Sequence, residues 1–155
     1  MSERLSAVAR DGAQDEPPLV PVADDDEIIL GLITYRLEHS GYRVITALDG
    51  QEALRLAFDE CPDLAVIDVM MPKIDGYQLT RCLRGNVETR ELPIILLTAR
   101  AQEADADLGF EAGADEYLAK PFSPEELRSL VEALLARPRP QGDDEPAGRS
   151  SQTVS

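Results

Sequence analysis

Four apolar runs in this sequence stop at a residue that packing does not require. Leu19–Ala23 runs into Asp24-Asp25-Asp26, Leu64–Ile67 into Asp68, and Ile94–Leu97 into Thr98, while Lys120 follows Glu116–Ala119. Each residue alone has an ordinary explanation: an acid after a strand caps a helix, a threonine ends a strand, a lysine is solvated. Their chemistry becomes pointed if all four runs end at one edge, because convergent polar groups in a cleft make a site. A carboxylate at the end of a buried run needs a partner, since an unpaired buried charge is costly. Three carboxylates a few ångströms apart do not all stay ionised unless a cation joins them. Every donor offered is oxygen, which suits a hard ion such as Mg²⁺ better than zinc. Lys120 adds a second positive charge, and with the Thr98 hydroxyl it forms a cradle for phosphoryl oxygens. The remaining carboxylate is then a nucleophile able to take a phosphoryl group. The chemistry indicated is phosphoryl transfer onto an aspartate.

The elements that must position these residues alternate along the chain. Strands are predicted over Leu19–Ala23, Arg43–Ala47, Leu64–Asp68, Ile94–Thr98 and Glu116–Ala119. The run ending at Asp68 is continuously apolar, as in a strand buried on both faces of a parallel sheet. Pro21 lacks a ladder donor, which favours a first strand that begins only after it. Between the strands come helical patterns. Ile29, Leu32, Ile33 and Leu37 recur at helical spacing before Gly41, a C′ residue. Asp49 with Glu52 reads as a capping box, and Asp75-Gly76 as a tight turn opening a helix to about Arg84. A polar helix is predicted over 102–112, ended by Gly113. Ser123-Pro124-Glu125-Glu126 starts the last helix, whose stripe is Leu127, Leu130, Val131, Leu134 and Leu135. Five strand–helix alternations imply a parallel sheet with helices on both faces, in which all strand carboxyl ends share one edge.

The 155 residues divide into a polar leader at 1–18, one domain at 19–137 and a Pro-, Gly-, Ser- and acid-rich tail at 138–155. Both ends read as disordered, and no second domain is expected after Arg137. Thirty acids face fifteen Lys and Arg, a net charge of −15, most of it between Leu19 and Arg137. That balance opposes direct binding to nucleic acid, which needs clustered basic residues, and binding to an anionic membrane. Cys61 and Cys82 have neither metal-ligand spacing nor a disulfide framework around them, as in a reducing compartment. With no signal peptide and no twenty-residue apolar span, the expected location is the cytoplasm. His39, the single histidine, reads as a surface residue at a helix C-terminus. Phe110 and Phe122 read as packing residues, and 102–111 as a solvated helix face.

Four stretches resemble the receiver domain of two-component response regulators. They are Val22–Asp26, Asp63–Tyr77 (which contains Asp68-Val69-Met70-Met71-Pro72), Leu97-Thr98-Ala99 and Glu116–Phe122. The resemblance covers Leu19 to Arg137 with the motifs in order. It implies a flavodoxin-like (βα)5 three-layer sandwich with parallel sheet order 2-1-3-4-5. It implies that Asp68 accepts a phosphoryl group from a histidine kinase or histidine phosphotransfer protein. It also implies that Asp24, Asp25, Asp68 and the Met70 carbonyl hold Mg²⁺. Thr98 and Lys120 then contact the phosphoryl group, and Tyr117 is the aromatic that reorients with Thr98. Lys120-Pro121 matches a cis peptide, and Met70 and Arg100 match variable positions that tune dephosphorylation. Such a domain is a switch rather than a turnover enzyme, apart from its own phosphorylation and slow dephosphorylation. Its partner surface combines the helix at 102–112 (the fourth helix), the fifth strand and the fifth helix, open to a downstream protein or a second copy.

Two other functions fit parts of the pattern. Asp24-Asp25-Asp26 nominally matches the Asp-x-Asp of haloacid-dehalogenase-type phosphatases, but that fold needs a further acidic pair after the lysine. Only Asp143-Asp144 follows, in the tail, and the motif around Asp68 stays unexplained. The other alternative, a receiver that docks constitutively without switching, does not need the complete set of site residues present here.

Overall fold

The computed structural model describes residues 16–99 and 112–137. Within them lie β1 (Leu19–Ala23), α1 (Glu27–His39), β2 (Arg43–Ala47), α2 (Gly50–Asp59), β3 (Ala65–Asp68), α3 (Gly76–Arg84), β4 (Ile94–Thr98), β5 (Glu116–Ala119) and α4 (Pro124–Ala136). The five strands form one parallel sheet in the order β2-β1-β3-β4-β5. The order reverses direction between β1 and β3, and the crevice outside the strand ends at such a switch point is where open α/β sheets bind ligands. Of the helix predicted over 102–112 only the last residue, Ala112, is described, and it is helical; the rest, together with Arg100 and Phe110, lies outside the described residues, as do 1–15 and the whole tail.

Successive side chains of a strand point to opposite faces, so each apolar run feeds two cores. Val20, Val22, Val66, Ile95 and Leu97 pack with Leu30, Ile33 and Leu37 of α1 and Leu127, Val131 and Leu134 of α4. Ala23, Ala47, Ala65, Ile67, Ile94 and Leu96 pack with Ala53, Leu56 and Ala57 of α2 and Leu79 and Leu83 of α3. Three layers result, and the central strands are apolar throughout because both their faces are covered.

Three local expectations need correction. Pro21 lies inside β1, paired with Ile45 of β2, rather than before the strand. Alternate residues of a parallel strand present their backbone groups to alternate neighbours. Pro18 O accepts from Arg43 N, and Asp24 N donates to Ala47 O, so even-numbered residues face β2. Pro21 therefore faces β3; Asp63 N donates to Leu19 O just upstream, and ladder pairing with β3 begins only at Val22, so the missing donor shortens that ladder without ending the strand. The first helix buries Leu30, Ile33 and Leu37, leaving Leu32 56% exposed. With Ile28, Ile29, Leu30, Leu32 and Ile33 spread around its circumference, periodicity does not select the inward face. Asp49 caps α2 by accepting from Glu52 N, but Glu52 turns its carboxylate to Arg55, 2.7 Å away, instead of closing a capping box. Full capping boxes occur at Asp75/Gln78 and Ser123/Glu126.

Candidate functional site

The sheet brings Asp24, Asp25, Asp68, Thr98 and Lys120 to the carboxyl edge on four strands or the loops leaving them. Asp24 follows β1, Asp68 ends the adjacent β3, Thr98 ends β4, and Lys120 follows β5, its amide donating to Thr98 O at 2.6 Å. Asp24 is fully buried and Asp68 is 3% exposed. Asp24, Asp25 and Asp68 each contribute one carboxylate oxygen to a group within 4.8 Å of one another. The Lys120 ammonium reaches into this group, 2.9 Å from Asp24 Oδ2 and 3.1 Å from Asp68 Oδ1.

Burial pushes the Asp68 carboxyl up, and the neighbouring Asp24 charge pushes it further; Lys120 opposes both, and the value settles at about 6. Burial draws the Lys120 ammonium down, but its bonds to Asp24 and Asp68 outweigh that and raise it. Lys120 thus stays charged, while Asp68 is held close to the range where one more neighbour decides its ionisation. Two buried acids and the exposed Asp25 beside them, with one fixed cation, are short of positive charge. The all-oxygen donor set therefore fits a hard divalent ion such as Mg²⁺.

The third acid of the run is not part of this group. Asp26 N donates to Asp24 Oδ1 at 2.9 Å, and the Asp26 carboxylate accepts from Ile28 N and Ile29 N as the N-cap of α1. Its position immediately before an apolar helical run is the usual signature of such a cap, so that role was readable. Both Asp24 oxygens are taken, Oδ1 by Asp26 N and Oδ2 by Lys120, which fits a charge-holding residue better than a nucleophile. Met70 is 66% exposed at the tip of the loop after β3. Tyr117 is half-buried against the α2/α3 core, and Phe122 against the α1/α4 core. His39 is exposed, its ring Nδ1 2.8 Å from Tyr35 O, and the Lys120-Pro121 bond is cis.

Gly76 does more than make a turn. A Cβ there would lie 2.7 Å from Asp68 O, so only glycine lets α3 start directly against the end of β3. The sequence also carried no pattern for Arg84, whose guanidinium ties three segments together. It donates to Gly113 O, Leu92 O and Asp115 Oδ2, and Asp115 Oδ2 also accepts from Ile94 N.

A family model for the response regulator receiver domain matches residues 20–132. The chain belongs to that family. The alkaline phosphatase synthesis transcriptional regulatory protein PhoP of Bacillus subtilis is 52% identical to this receiver domain over 116 residues, covering 75% of this chain and 48% of that protein. The chain spans about half the length of the curated relatives it matches. Among solved structures, a putative response regulator from Chloroflexus aurantiacus is 41% identical with a TM-score of 0.76, covering 79% of this chain and all of that one. The receiver domain of the sensor histidine kinase PA1611 from Pseudomonas aeruginosa is 33% identical, with a TM-score of 0.73 and coverage of 78% and 99%; it carries a magnesium ion in its active-site cleft. Among the described residues of this receiver domain, no helix is long and apolar enough to cross a membrane.

Proposed function

We propose that this receiver domain is a phosphorylation-driven switch, working in the cytoplasm as a unit of residues 19–137, with Asp68 as its phosphoacceptor. The observation that carries the reading is the placement of Asp68. Its carboxylate ends a central strand, almost fully buried, grouped with two further carboxylates and 3.1 Å from a charged lysine. A carboxylate oxygen of Asp68 forms a P–O bond as the P–N bond of a phosphohistidine breaks, and the imidazole leaves with the electron pair. Lys120 is placed to meet the phosphoryl oxygens and Thr98 to bond one of them. The carboxylates of Asp24, Asp25 and Asp68, with the Met70 carbonyl, are the residues to hold Mg²⁺, which when bound supplies positive charge for the transferring group.

A protein donor, a histidine kinase or histidine phosphotransfer protein, is supported by the surface beside Lys120. An apolar groove between α1 and the start of α4 is lined by Ile29, Leu32, Ile33, Pro121, Phe122 and Pro124. Ile28 and Tyr35 extend the exposed apolar surface of α1. A small phosphodonor has no use for such a surface. The output is a changed face on the helix expected at 102–112, β5 and α4, read by a downstream protein or a second copy.

The test is mass spectrometry after treatment with acetyl phosphate and Mg²⁺. One phosphoryl adduct is expected on Asp68, absent from Asp68→Asn, which keeps the shape and removes the nucleophile. Incorporation at the normal rate in that variant would falsify the assignment. An adduct on Asp24 would favour phosphatase-type chemistry, and none at all a docking module.

A further inference from the structure

The loop from Val69 to Asp75 leaves β3 directly after Asp68 and returns to Gly76. Two of its carbonyls are pinned from outside its tip. Val69 O accepts from Gly76 N at 2.9 Å, and Pro72 O accepts from Gly50 N, the first residue of α2, at 3.3 Å. Only Met70 and Met71 lie between those points. Ile74 N also donates to Pro72 O at 2.8 Å, and Lys73 takes a positive φ of 74°. Contact with α2 is very close: a Cβ on Gly50 would lie 2.0 Å from Ile74 O and 2.7 Å from Ile74 Cβ. On the outer side, Lys73 Nζ lies 3.5 Å from Asp49 Oδ2, a carboxylate held below its usual range chiefly by Glu52 N.

We infer that Asp49-Gly50, on an element that carries none of the reacting groups, is a positioning element for the acceptor loop, setting where the Met70 carbonyl stands relative to Asp68. The inference rests on the reading of the site as a Mg²⁺-assisted phosphoacceptor. Mg²⁺ accepts ligands only near ideal octahedral distances, so a carbonyl ligand on a loop needs its backbone held from both sides. The Gly76 bond supplies one side and the start of α2 the other. Gly50 is required because the amide and the loop meet with no room for a side chain. Asp49 serves twice, one oxygen capping α2 and the other facing Lys73.

Gly50→Ala forces the loop or the helix start to move, whereas Gly31→Ala, at a helical position with nothing within 4 Å of the added Cβ, is the control. Mg²⁺ binding is read by calorimetry, and phosphorylation by acetyl phosphate at saturating Mg²⁺, at a temperature where all variants are folded. Gly50→Ala should weaken Mg²⁺ binding by about tenfold and slow phosphorylation by a similar factor, with Gly31→Ala unchanged. A variant that only loosened the fold would bind Mg²⁺ normally at that temperature. If Gly50→Ala fails to fold, Lys73→Met decides. Removing a cation near an acidic site tightens Mg²⁺ binding on charge alone, but loss of the latch should weaken it about twofold, on the scale of an exposed pair. Native affinity and rate in Gly50→Ala, or native or tighter binding in Lys73→Met should Gly50→Ala not fold, overturns the positioning role. Absence of both Mg²⁺ binding and phosphorylation in the unmodified protein would instead overturn the reading on which it rests.

Discussion

Asp68 is held in a state that folding alone disfavours. Its carboxyl titrates near 6 in the folded chain, above the ordinary 3.8, because burial and Asp24 work against its charge. A raised carboxyl means that the folded state binds a proton more readily than the unfolded state. The destabilisation is therefore complete above about pH 6 and is relieved as the pH falls towards 4. In chelator, the melting temperature should rise between pH 8 and pH 5, and Asp68→Asn should flatten that slope while melting roughly 5 °C higher at pH 8. Parallel slopes in the two proteins would show that the pH dependence originates elsewhere. Mg²⁺ should raise the unmodified protein at pH 8 by mass action and move Asp68→Asn less. Equal melting with Mg²⁺ and with chelator would count against a metal at this group.

Between elements, the tie that matters most for shape is Arg84. Its guanidinium joins the end of α3 to the carbonyls of Leu92 and Gly113 and to Asp115, which in turn holds the first amide of β4. Arg84→Met keeps much of the aliphatic stem and removes all of these donors. It should lower stability by about 1–3 kcal/mol, the cost of leaving partly buried acceptors unpaired, read as a lower urea midpoint at unchanged slope. The strands and the edge where the acids meet were legible because apolar runs of strand length, separated by helical patterns, imply a parallel sheet, whereas the strand order followed only from the resemblance to receiver domains. Asp68, Asp24, Asp25 and Lys120 were legible because each interrupts or ends such a run. Arg84 and Asp115 were not, since their partners are mostly backbone carbonyls and amides, which have no residue type. The inward face of α1 was not legible either, because apolar residues occupy too much of that helix for spacing to choose. Gly50 and Gly76 were visible as glycines, but the need for them lies in what approaches from another element.

Across the whole molecule, the proposed switch requires that a charge placed at Asp68 be felt at β5. Thr98 ends the strand between them, one position beyond the residue paired with Asp68, and is itself paired with Ala119. In that proposal, a phosphoryl group drawing the Thr98 hydroxyl inward would alter the packing available to Tyr117, two residues before Ala119, and so would favour one of two arrangements. Amide NMR with beryllofluoride, a phosphoryl mimic, should show shifts around Tyr117 in the unmodified protein and much smaller ones in Thr98→Ala. Identical shifts in both would dissociate Thr98 from the response. The Lys120–Asp24 contact joins residues 96 apart in the chain, across β3 and β4. During synthesis, the buried acids therefore leave the ribosome long before the ammonium that balances them. A nascent chain that has reached only β4 carries unneutralised charge at the mouth of its sheet and an open hydrogen-bonding edge beside it. Only a chain that has added its last strand can therefore place its own ammonium at the mouth of the sheet.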